Sequence, residues 1–398
     1  INNCCISKIF NTTQTTSKII SISPFNAPEF FTKNEYTKAS EVYSFGIIVY
    51  SIITNQNPHQ NYSQYQTFSK IIESDISQSK ESIPKAYLNL IERCLSKKPE
   101  DRPTFNDILN ELRNNQDFLN ESIDVKQYNE YIEYTKSFPN NDGLIEPCPE
   151  SIIKDWLKNQ QVDDLFISDD EQNSSSNEEE NEEEYNDEQD ISLPFLDNVN
   201  TVQLKNLKQI KFIKEGGFGL VYKVRDKTTK AEYAAKVLKM EEKNLFEFQN
   251  SPVAINFIRE VLCHSQAKNK TIAKFIGYNR HYFHRNPKPV IFTEFISKGD
   301  LNSILERERI GESIENWNDT QKLIVIYGIA YGMSYLHSIG ILFRDLNPSN
   351  VLLDNSFFPK ICDFGLSKNI SEKDYSDELK EIIEKNHLIG NKSSVFGT

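Results

Sequence analysis

Ile341-Leu342-Phe343-Arg344-Asp345-Leu346-Asn347-Pro348-Ser349-Asn350-Val351-Leu352-Leu353, followed by Lys360-Ile361-Cys362-Asp363-Phe364-Gly365-Leu366-Ser367, decides the fold. Two short apolar, strand-like runs flank an acid, an amide and a second acid in fixed order. Such runs place Asp345 and Asp363 at the mouth of one cleft. Phosphoryl transfer needs a group to accept a hydroxyl proton and oxygens to hold Mg²⁺ beside a triphosphate. Asp345 suits the first task, and Asn350 and Asp363 suit the second.

The chain upstream supplies what a triphosphate would need. Strand-like Gln209–Ile213 and Leu220–Arg225 enclose Lys214-Glu215-Gly216-Gly217-Phe218-Gly219-Leu220-Val221. Glycines let backbone amides approach phosphate oxygens with no side chain between. Alone, this cluster reads as an ordinary turn. A further strand, Glu232–Leu238, carries Ala234-Ala235-Lys236, and its period of two puts Ala234 and Lys236 on one face. A small residue beside a cation suits an adenine ring with phosphates beyond. Ser251-Pro252 reads as an N-cap with proline at the first helical position. The helix it opens has Ile255, Ile258 and Leu262 on its apolar side. That helix carries Glu260, the natural counter-ion of Lys236. Lys322–His337 reads as a long buried helix. Strands followed mainly by helix fit a two-lobed α+β enzyme.

These separated motifs, in this order, resemble a eukaryotic protein kinase domain of the tyrosine-kinase-like and serine/threonine type. The resemblance implies a protein-kinase-like bilobal α+β fold, with a β-rich small lobe and a mainly helical large lobe. It implies that Gly216, Gly217, Gly219 and Val221 fold over ATP. Lys236 would bind the α- and β-phosphates and pair with Glu260. Ala234, the gatekeeper Thr293 and the hinge Glu294–Ile296 would surround adenine. Asp345 would be the catalytic aspartate, and Asn350 and Asp363 the Mg²⁺ ligands. His337 would be a packed structural histidine. Three departures stand out. Lys214 replaces the first glycine of the loop. Phe343 replaces a histidine that braces the catalytic loop. Asn347 replaces a lysine that neutralises the moving phosphate. Removal of one preorganised charge or donor costs ~3–4 kcal/mol, or roughly 10²–10³ in rate. The phrase Leu346-Asn347-Pro348-Ser349-Asn350 leans toward Ser/Thr substrates. The alternative is a catalytically weak, nucleotide-binding pseudokinase scaffold in signalling.

Residues 1–113 carry a second resemblance. Ala27-Pro28-Glu29 resembles the end of a kinase activation segment. Glu41-Val42-Tyr43-Ser44-Phe45-Gly46-Ile47-Ile48 resembles the central large-lobe helix. Ile91–Leu95 and Lys98–Phe105 resemble the closing helices. The resemblance implies an ion pair between Glu29 and Arg102. Aligning Ser7-Lys8 with Ser367-Lys368 puts Asn3-Cys4-Cys5 where Asp363-Phe364-Gly365 stands, and Glu41 replaces the usual aspartate. Residues 1–113 are therefore expected to be the large-lobe remnant of a pseudokinase.

Between the two lies an expected linker, 114–200, with unassigned helix-like pieces such as Ile152–Leu157. From Asp163 to Asp190 it holds 14 acidic residues and no Lys or Arg, too charged to bury a core. Ser175 and Ser176, each three residues before a glutamate, are candidate sites for an acid-directed kinase. Residues 201–398 hold the small lobe, catalytic loop and the start of an activation segment with candidate phosphosites Tyr375, Ser393 and Ser394. Residues 1–113 and 201–398 each hold roughly what the other lacks. Two arrangements follow: a tandem pseudokinase–kinase of which this is a slice, preferred for the natural protein, or residues 1–113 docked onto 201–398 as a permuted kinase. The chain begins with Ile1 and ends at Gly397-Thr398, so a longer gene product is expected. The net charge of −13 argues against nucleic acid as a partner. The longest apolar runs, such as Leu323–Ile326, are far below the ~18 residues of a membrane span. Six cysteines without ligand-like spacing suggest reduced thiols in the cytoplasm. A protein substrate and ATP are the expected partners.

Overall fold

The computed structural model describes residues 23–33, 35–56, 64–73, 82–137, 196, 198–216, 219–239, 252–280 and 288–369. Gly217, Ile152–Leu157, the acidic run, Ser175, Ser176, Tyr375, Ser393, Ser394 and the Asn3-Cys4-Cys5 register lie outside them.

Among the described residues, six α-helices come from the first part of the chain. They are α1 (Pro28–Lys33), α2 (Lys38–Thr54), α3 (Gln64–Glu73), α4 (Lys85–Cys94), α5 (Phe105–Asn114) and α6 (Val125–Lys136). Helix α2 is buried from Ser40 to Ile52 and mainly apolar, with Tyr43, Phe45, Ile47, Ile48 and Ile52 all buried. A helix of that pattern belongs in the middle of a core. It stops where Asn55 takes a left-handed conformation, φ 53°, a geometry asparagine tolerates. Helix α5 opens with a capping box: the Thr104 hydroxyl accepts from Asp107 N at 3.2 Å, and the Asp107 carboxylate accepts from Thr104 N at 2.9 Å. Helix α6 occupies part of the stretch expected to be linker. Its Asp124 cap accepts from Gln127 N at 3.0 Å, and Tyr128, Tyr131, Ile132 and Thr135 are buried. The apolar period of 128, 131, 132 and 135 is the reason: one helical face packs and the other is solvated.

The second part opens with a five-stranded antiparallel sheet, β1 (Leu207–Glu215), β2 (Gly219–Asp226), β3 (Glu232–Leu238), β4 (Phe275–Asn279) and β5 (Val290–Glu294), in spatial order β1-β2-β3-β5-β4. Leu196 and Val199, assigned by sequence to the linker, are buried against this sheet and its helix α7 (Pro252–Gln266). The buried face of α7 is Phe257, Ile258, Val261 and His264, with Leu262 only half-buried. The expected apolar stripe was thus rotated slightly toward solvent. Helix α8 (Leu301–Arg309) and helix α9 (Asp319–Ser338) follow. Short hairpin strands β6 (Ile341–Leu342), β7 (Val351–Leu353), β8 (Pro359–Ile361) and β9 (Lys368–Asn369) pair as β6–β9 and β7–β8.

One apolar cluster joins residues from both parts of the chain. It runs from Val42, Phe45 and Ile108 to Leu323, Ile326, Tyr327 and Met333 on α9. Polar contacts run along the same seam. Arg113 Nε donates to the Tyr327 hydroxyl at 2.8 Å, Asp124 N donates to Thr320 Oγ1 at 2.8 Å, and Lys38 Nζ donates to the His337 carbonyl at 3.0 Å. Gly328 on α9 is where α6 comes closest: a Cβ there would stand 2.2 Å from the Tyr131 hydroxyl and 2.4 Å from a Pro359 ring carbon.

Beneath α2 lies a buried ion pair. Arg102 donates to both Glu29 oxygens at 2.7 and 2.9 Å, and Ser40 donates to Glu29 at 2.7 Å. Burial pushes the Glu29 carboxyl up, but the Arg102 and Ser40 hydrogen bonds and the Arg102 charge outweigh it and hold it below its ordinary range. Arg102→Leu would leave a carboxylate buried without its partner, at a cost of about 3–5 kcal/mol. We expect urea denaturation to show that loss. Glu29→Gln in the same protein should recover part of it.

Candidate active site

Strand register sets the first half of the site. Ala235 is buried on the inner face with Val224 and Phe292, so Ala234 and Lys236 emerge on the opposite face. Val221 lies across from Lys236, and Ala234 across from Thr293. Glu294 ends β5, its N–H bonded to the Lys274 carbonyl at 2.9 Å, and Ile296 is buried just beyond. At the β1–β2 turn, Gly216 N donates to the Gly219 carbonyl at 2.8 Å. Gly219 is the glycine whose size matters, because a Cβ there would stand 2.4 Å from the Val237 carbonyl oxygen. Lys214, in place of a glycine, reaches Asp300 at 3.6 Å.

Lys236 is the hub. Its Nζ donates to Glu260 on α7 at 2.7 Å and to Asp363 at 2.6 Å. Burial works against the ammonium, yet the Asp363 and Glu260 charges win and raise Lys236 well above its ordinary value. Burial likewise pushes Asp363 up, but the Lys236 charge and hydrogen bond hold it below the usual carboxylate range. Glu260 is pushed up by burial against the pull of Lys236. Gly365 sits at the centre of this triad: a Cβ there would lie 3.3 Å from Asp363 and Glu260 and 3.4 Å from Lys236.

The catalytic-loop candidate faces the triad. Both amides of the loop turn their nitrogens to Asp345: Asn350 Nδ2 donates to Oδ2 at 2.8 Å, and Asn347 Nδ2 donates to Oδ1 at 2.9 Å. Asn350 keeps its Oδ1 as an acceptor for another group. Burial first, and the neighbouring Asp363 charge second, push the Asp345 carboxyl up to about 7, with the two asparagine bonds and Lys236 pulling the other way. Asp345, Asp363 and Lys236 thus share one electrostatic site.

The loop is anchored from the first part of the chain. Glu41 on α2 is fully buried; its carboxylate accepts from Arg344 N at 2.6 Å and meets His337 Nε2 at 2.5 Å. Glutamate, one methylene longer than the aspartate the resemblance predicts, still reaches both groups. His337 also packs edge-on against Phe105 at 5.2 Å. Phe343, standing for a histidine, is buried and packs edge-on against Phe364 at 5.3 Å.

Sequence reading missed two participants. His264, four residues after Glu260 and so on the same helical face, stacks on Phe364 at 4.3 Å and meets the Ala273 carbonyl at 2.7 Å. Burial lowers it to about 4, so at neutral pH it is an uncharged ring. The spacing from Glu260 was its only signal. Tyr36 lies under the Arg344 guanidinium, 5.7 Å from ring centre to Cζ, and nothing in the sequence marked it.

The Protein kinase domain profile matches residues 207–385, and the Protein tyrosine and serine/threonine kinase profile matches residues 5–112. Receptor-like kinase LIP1 of Arabidopsis thaliana is 33% identical over 165 residues, 41% of this chain and 24% of the relative. Tyrosine-protein kinase receptor TYRO3 of Gallus gallus is 30% identical over 167 residues, 42% of this chain and 19% of the relative. Dual specificity protein kinase pyk3 of Dictyostelium discoideum is 24% identical over 366 residues, 87% of this chain and 21% of the relative. The chain therefore spans about a quarter or less of these relatives. With the bilobal architecture and both profiles in place, the chain belongs to the eukaryotic protein kinase family.

The Asp345 carboxyl gives a stability test. The unfolded chain loses this proton near the ordinary aspartate value of 3.8, the folded chain near 7. Between those values the folded state binds more protons, so this group's contribution to stability falls as pH rises across the window. Asp345→Asn should therefore stabilise the nucleotide-free protein at pH 7.5, by on the order of a few kcal/mol. Below about pH 4 the gain should vanish, because the wild-type acid is then neutral in both states. Thermal unfolding of both proteins across pH reads the difference.

Proposed function

We propose that the chain carries an ATP- and Mg²⁺-dependent protein kinase that transfers the γ-phosphoryl group to serine or threonine of a protein substrate. The observation that carries this reading is the Lys236 hub, paired at once with Glu260 and Asp363 and facing Asp345. The residues fit the group. Asp345 and Asp363 push against each other electrostatically, and a divalent cation is the chemistry that relieves two crowded carboxylates. Asp363 and Asn350 Oδ1 would hold that Mg²⁺, which supplies charge neutralisation to the phosphates when bound. Lys236 Nζ positions the α- and β-phosphates. Ala234, Val221, Thr293, Glu294 and Ile296 would enclose adenine, and Gly216, Gly217 and Gly219 keep backbone close to the phosphates. Asp345, held at both oxygens by Asn347 and Asn350, accepts the substrate hydroxyl proton at a carboxylate oxygen. Ser/Thr preference is inferred from the Leu346–Asn350 phrase. The setting proposed is the cytoplasm, where reduced thiols such as Cys94 and Cys362 persist.

A general protein substrate with ATP, assayed beside Asp345→Asn, tests the reading. Equal transfer by the two proteins would leave the second reading, a nucleotide-binding scaffold. Asn347 favours that second reading, since its amide brings no cation to the transferring phosphate. Asn347→Lys therefore measures how far the site is from full activity. We expect kcat to rise between about tenfold and 10³-fold, the worth of one preorganised charge or donor. The acidic limb of the kcat/KM profile should also move below about pH 7, because a new cation favours the Asp345 carboxylate.

We further propose that residues 1–137 supply the floor of this kinase unit, with the Glu41 bond to the Arg344 backbone as support. The tandem arrangement is the second reading. It is favoured by the dual-specificity relative, which aligns over 87% of the chain in the same order. Cleavage at a protease site placed within 163–190, followed by size exclusion, separates them. Co-elution of the two pieces, with activity kept, is the expected result. Free separation of the pieces overturns the composite.

A further inference from the structure

From Asn198 to Lys214 the chain contains no Asp or Glu, and a lysine falls at every third position: Lys205, Lys208, Lys211 and Lys214. A regular strand would scatter a repeat of three over both its faces, because its side chains alternate with period two. Strand β1 does not. Its pairing with β2 slips once between Gln209 and Lys211 and again between Phe212 and Lys214. Each slip inserts one extra residue, so the repeat of three becomes one-sided. Lys208, Lys211 and Lys214 stand opposite Arg225, Lys223 and Val221, three positions on a single face of β2.

That placement sets like charges directly across the ladder, Lys208 against Arg225 and Lys211 against Lys223, which weakens a sheet. Counter-charge within the fold is scarce. Glu232 serves both Lys223 and Arg225, at 2.7 and 2.6 Å, and Lys214 reaches Asp300 at 3.6 Å. Lys208 and Lys211 have no ion-pair partner among the described residues. The strand is also exposed where it is apolar. Ile210, Phe212 and Ile213, at 40%, 50% and 38% exposure, are three of the six large apolar side chains exposed among the described residues. Finally, β1 ends the sheet, so one edge of its backbone has no strand beside it among the described residues. An open edge with apolar side chains invites a further segment. Lysines along it repel a second copy of the same strand and select an acidic occupant.

The chain carries such an occupant. Residues 163–171 set five carboxylates, Asp163, Asp164, Asp169, Asp170 and Glu171, on either side of Leu165-Phe166-Ile167. This is the mixture of charged and apolar residues found on β1, with the sign reversed. Glu171 is 25 residues before Leu196, which is buried against Phe257 of α7 and Tyr278 of β4. A coil of 25 residues spans roughly 25–30 Å, and five strands measure about 19 Å from first to last. The tether therefore reaches from the β4 side to the β1 edge. It also fixes the segment at an effective concentration in the millimolar range. A nucleic acid or an anionic membrane would have to displace that competitor while approaching a chain of net charge −13.

We propose that the lysine face and open edge of β1 form the docking surface for residues 163–171 of the same chain. The carboxylates of the segment pair with Lys208 and Lys211, and its apolar triplet covers part of the exposed Ile210–Ile213 stretch. The contact is non-covalent, and it is read without any measurement of phosphoryl transfer.

Acetylation of the full chain with limiting acetic anhydride, mapped by mass spectrometry, tests it. Lys126, 86% exposed on α6, serves as the reference. The variant carrying Asp163→Asn, Asp164→Asn, Asp169→Asn and Asp170→Asn changes none of the described residues. In it Lys208 and Lys211 should be acetylated about twofold faster or more, twofold being the gain when the effective concentration equals the Kd. Lys126 should not change. Salt at about 1 M, which shortens the screening length to ~3 Å, should produce the same acceleration in the wild-type chain and none in the variant. Carbodiimide should join Lys208 or Lys211 to an acid of 163–171 within one chain. Lys208→Glu combined with Lys211→Glu should abolish those links to 163–171 without lowering Tm, because it removes two like-charge pairs. The proposal is overturned by unchanged acetylation of both lysines in the Asn variant, or by links that form only between two chains or only to residues 178–190. Protection of Lys208 and Lys211 by duplex DNA or by phosphatidylserine vesicles in the wild-type chain at physiological salt would overturn it as well, since the face would then belong to that partner.

Discussion

The site depends on a charge imbalance in a small volume. Lys236 is one cation among three carboxylates, those of Glu260, Asp363 and Asp345. Two of them it holds directly, and the third is left to the asparagine amides and to protonation. Hydrogen bonds from neutral amides stabilise a carboxylate less than a full positive charge does. Asp345 accordingly holds its proton far above the ordinary aspartate range, and the neighbouring Asp363 adds to the effect. A lysine at position 347 would have brought a second cation to this cluster. Asparagine there keeps the loop geometry through its bonds to Asp345 and to Ser349 N at 2.9 Å, but gives up the charge. Shape and charge, which normally travel together in such a loop, are here separated.

This loop and the segment after β8 store backbone strain. Arg344 and Asp363, neither of them glycine, sit at φ 68° and 69°. Left-handed backbone at such residues costs about 1–3 kcal/mol and persists only where surroundings over-determine it. For Arg344 the surrounding is a buried carboxylate 303 positions away in sequence, whose oxygen accepts from its own N–H. For Asp363 it is the ion pair with Lys236, reinforced by Cys362 N bonding the Asn350 carbonyl at 2.9 Å. The two strained positions are therefore oriented by contacts from different layers, Arg344 by the helical floor and Asp363 by the sheet.

Much of this was legible because the chemistry needs particular residue types at fixed spacing. Asp345, Asn350 and Asp363 could be read from one stretch, Lys236 from its strand parity, and Glu29 with Arg102 from matching motifs. What could not be read depended on three-dimensional neighbours. His264 became visible only once Phe364 was found stacked on it, because a lone histidine on a helix says nothing about what covers it. Helix α6 was placed in a linker because the acidic composition that follows it dominated the reading of the whole segment. Its 128, 131, 132, 135 face was present in the sequence but had no evident partner. The partner is α9, and Gly328 is the residue that lets the Tyr131 ring approach.

Glu41 shows how a departure from a family pattern can be misread when judged by identity alone. Taken as a sequence feature, a glutamate in place of an aspartate suggests a degenerate element. In the structure its oxygens reach the Arg344 amide and the His337 ring together. The extra methylene is absorbed within a core where Tyr43, Phe45 and Ile47 are all buried. Phe343 makes the complementary point. It cannot form a histidine's hydrogen bonds, yet it fills its place by packing against Phe364, which in turn carries His264. The bracing of the loop has shifted from polar contacts to stacked rings. That exchange preserves position, because packed aromatic side chains are held nearly as firmly as bonded ones. Asn347 preserves position but not charge. Of the departures in the catalytic loop, it alone alters the electrostatics on which transfer would depend.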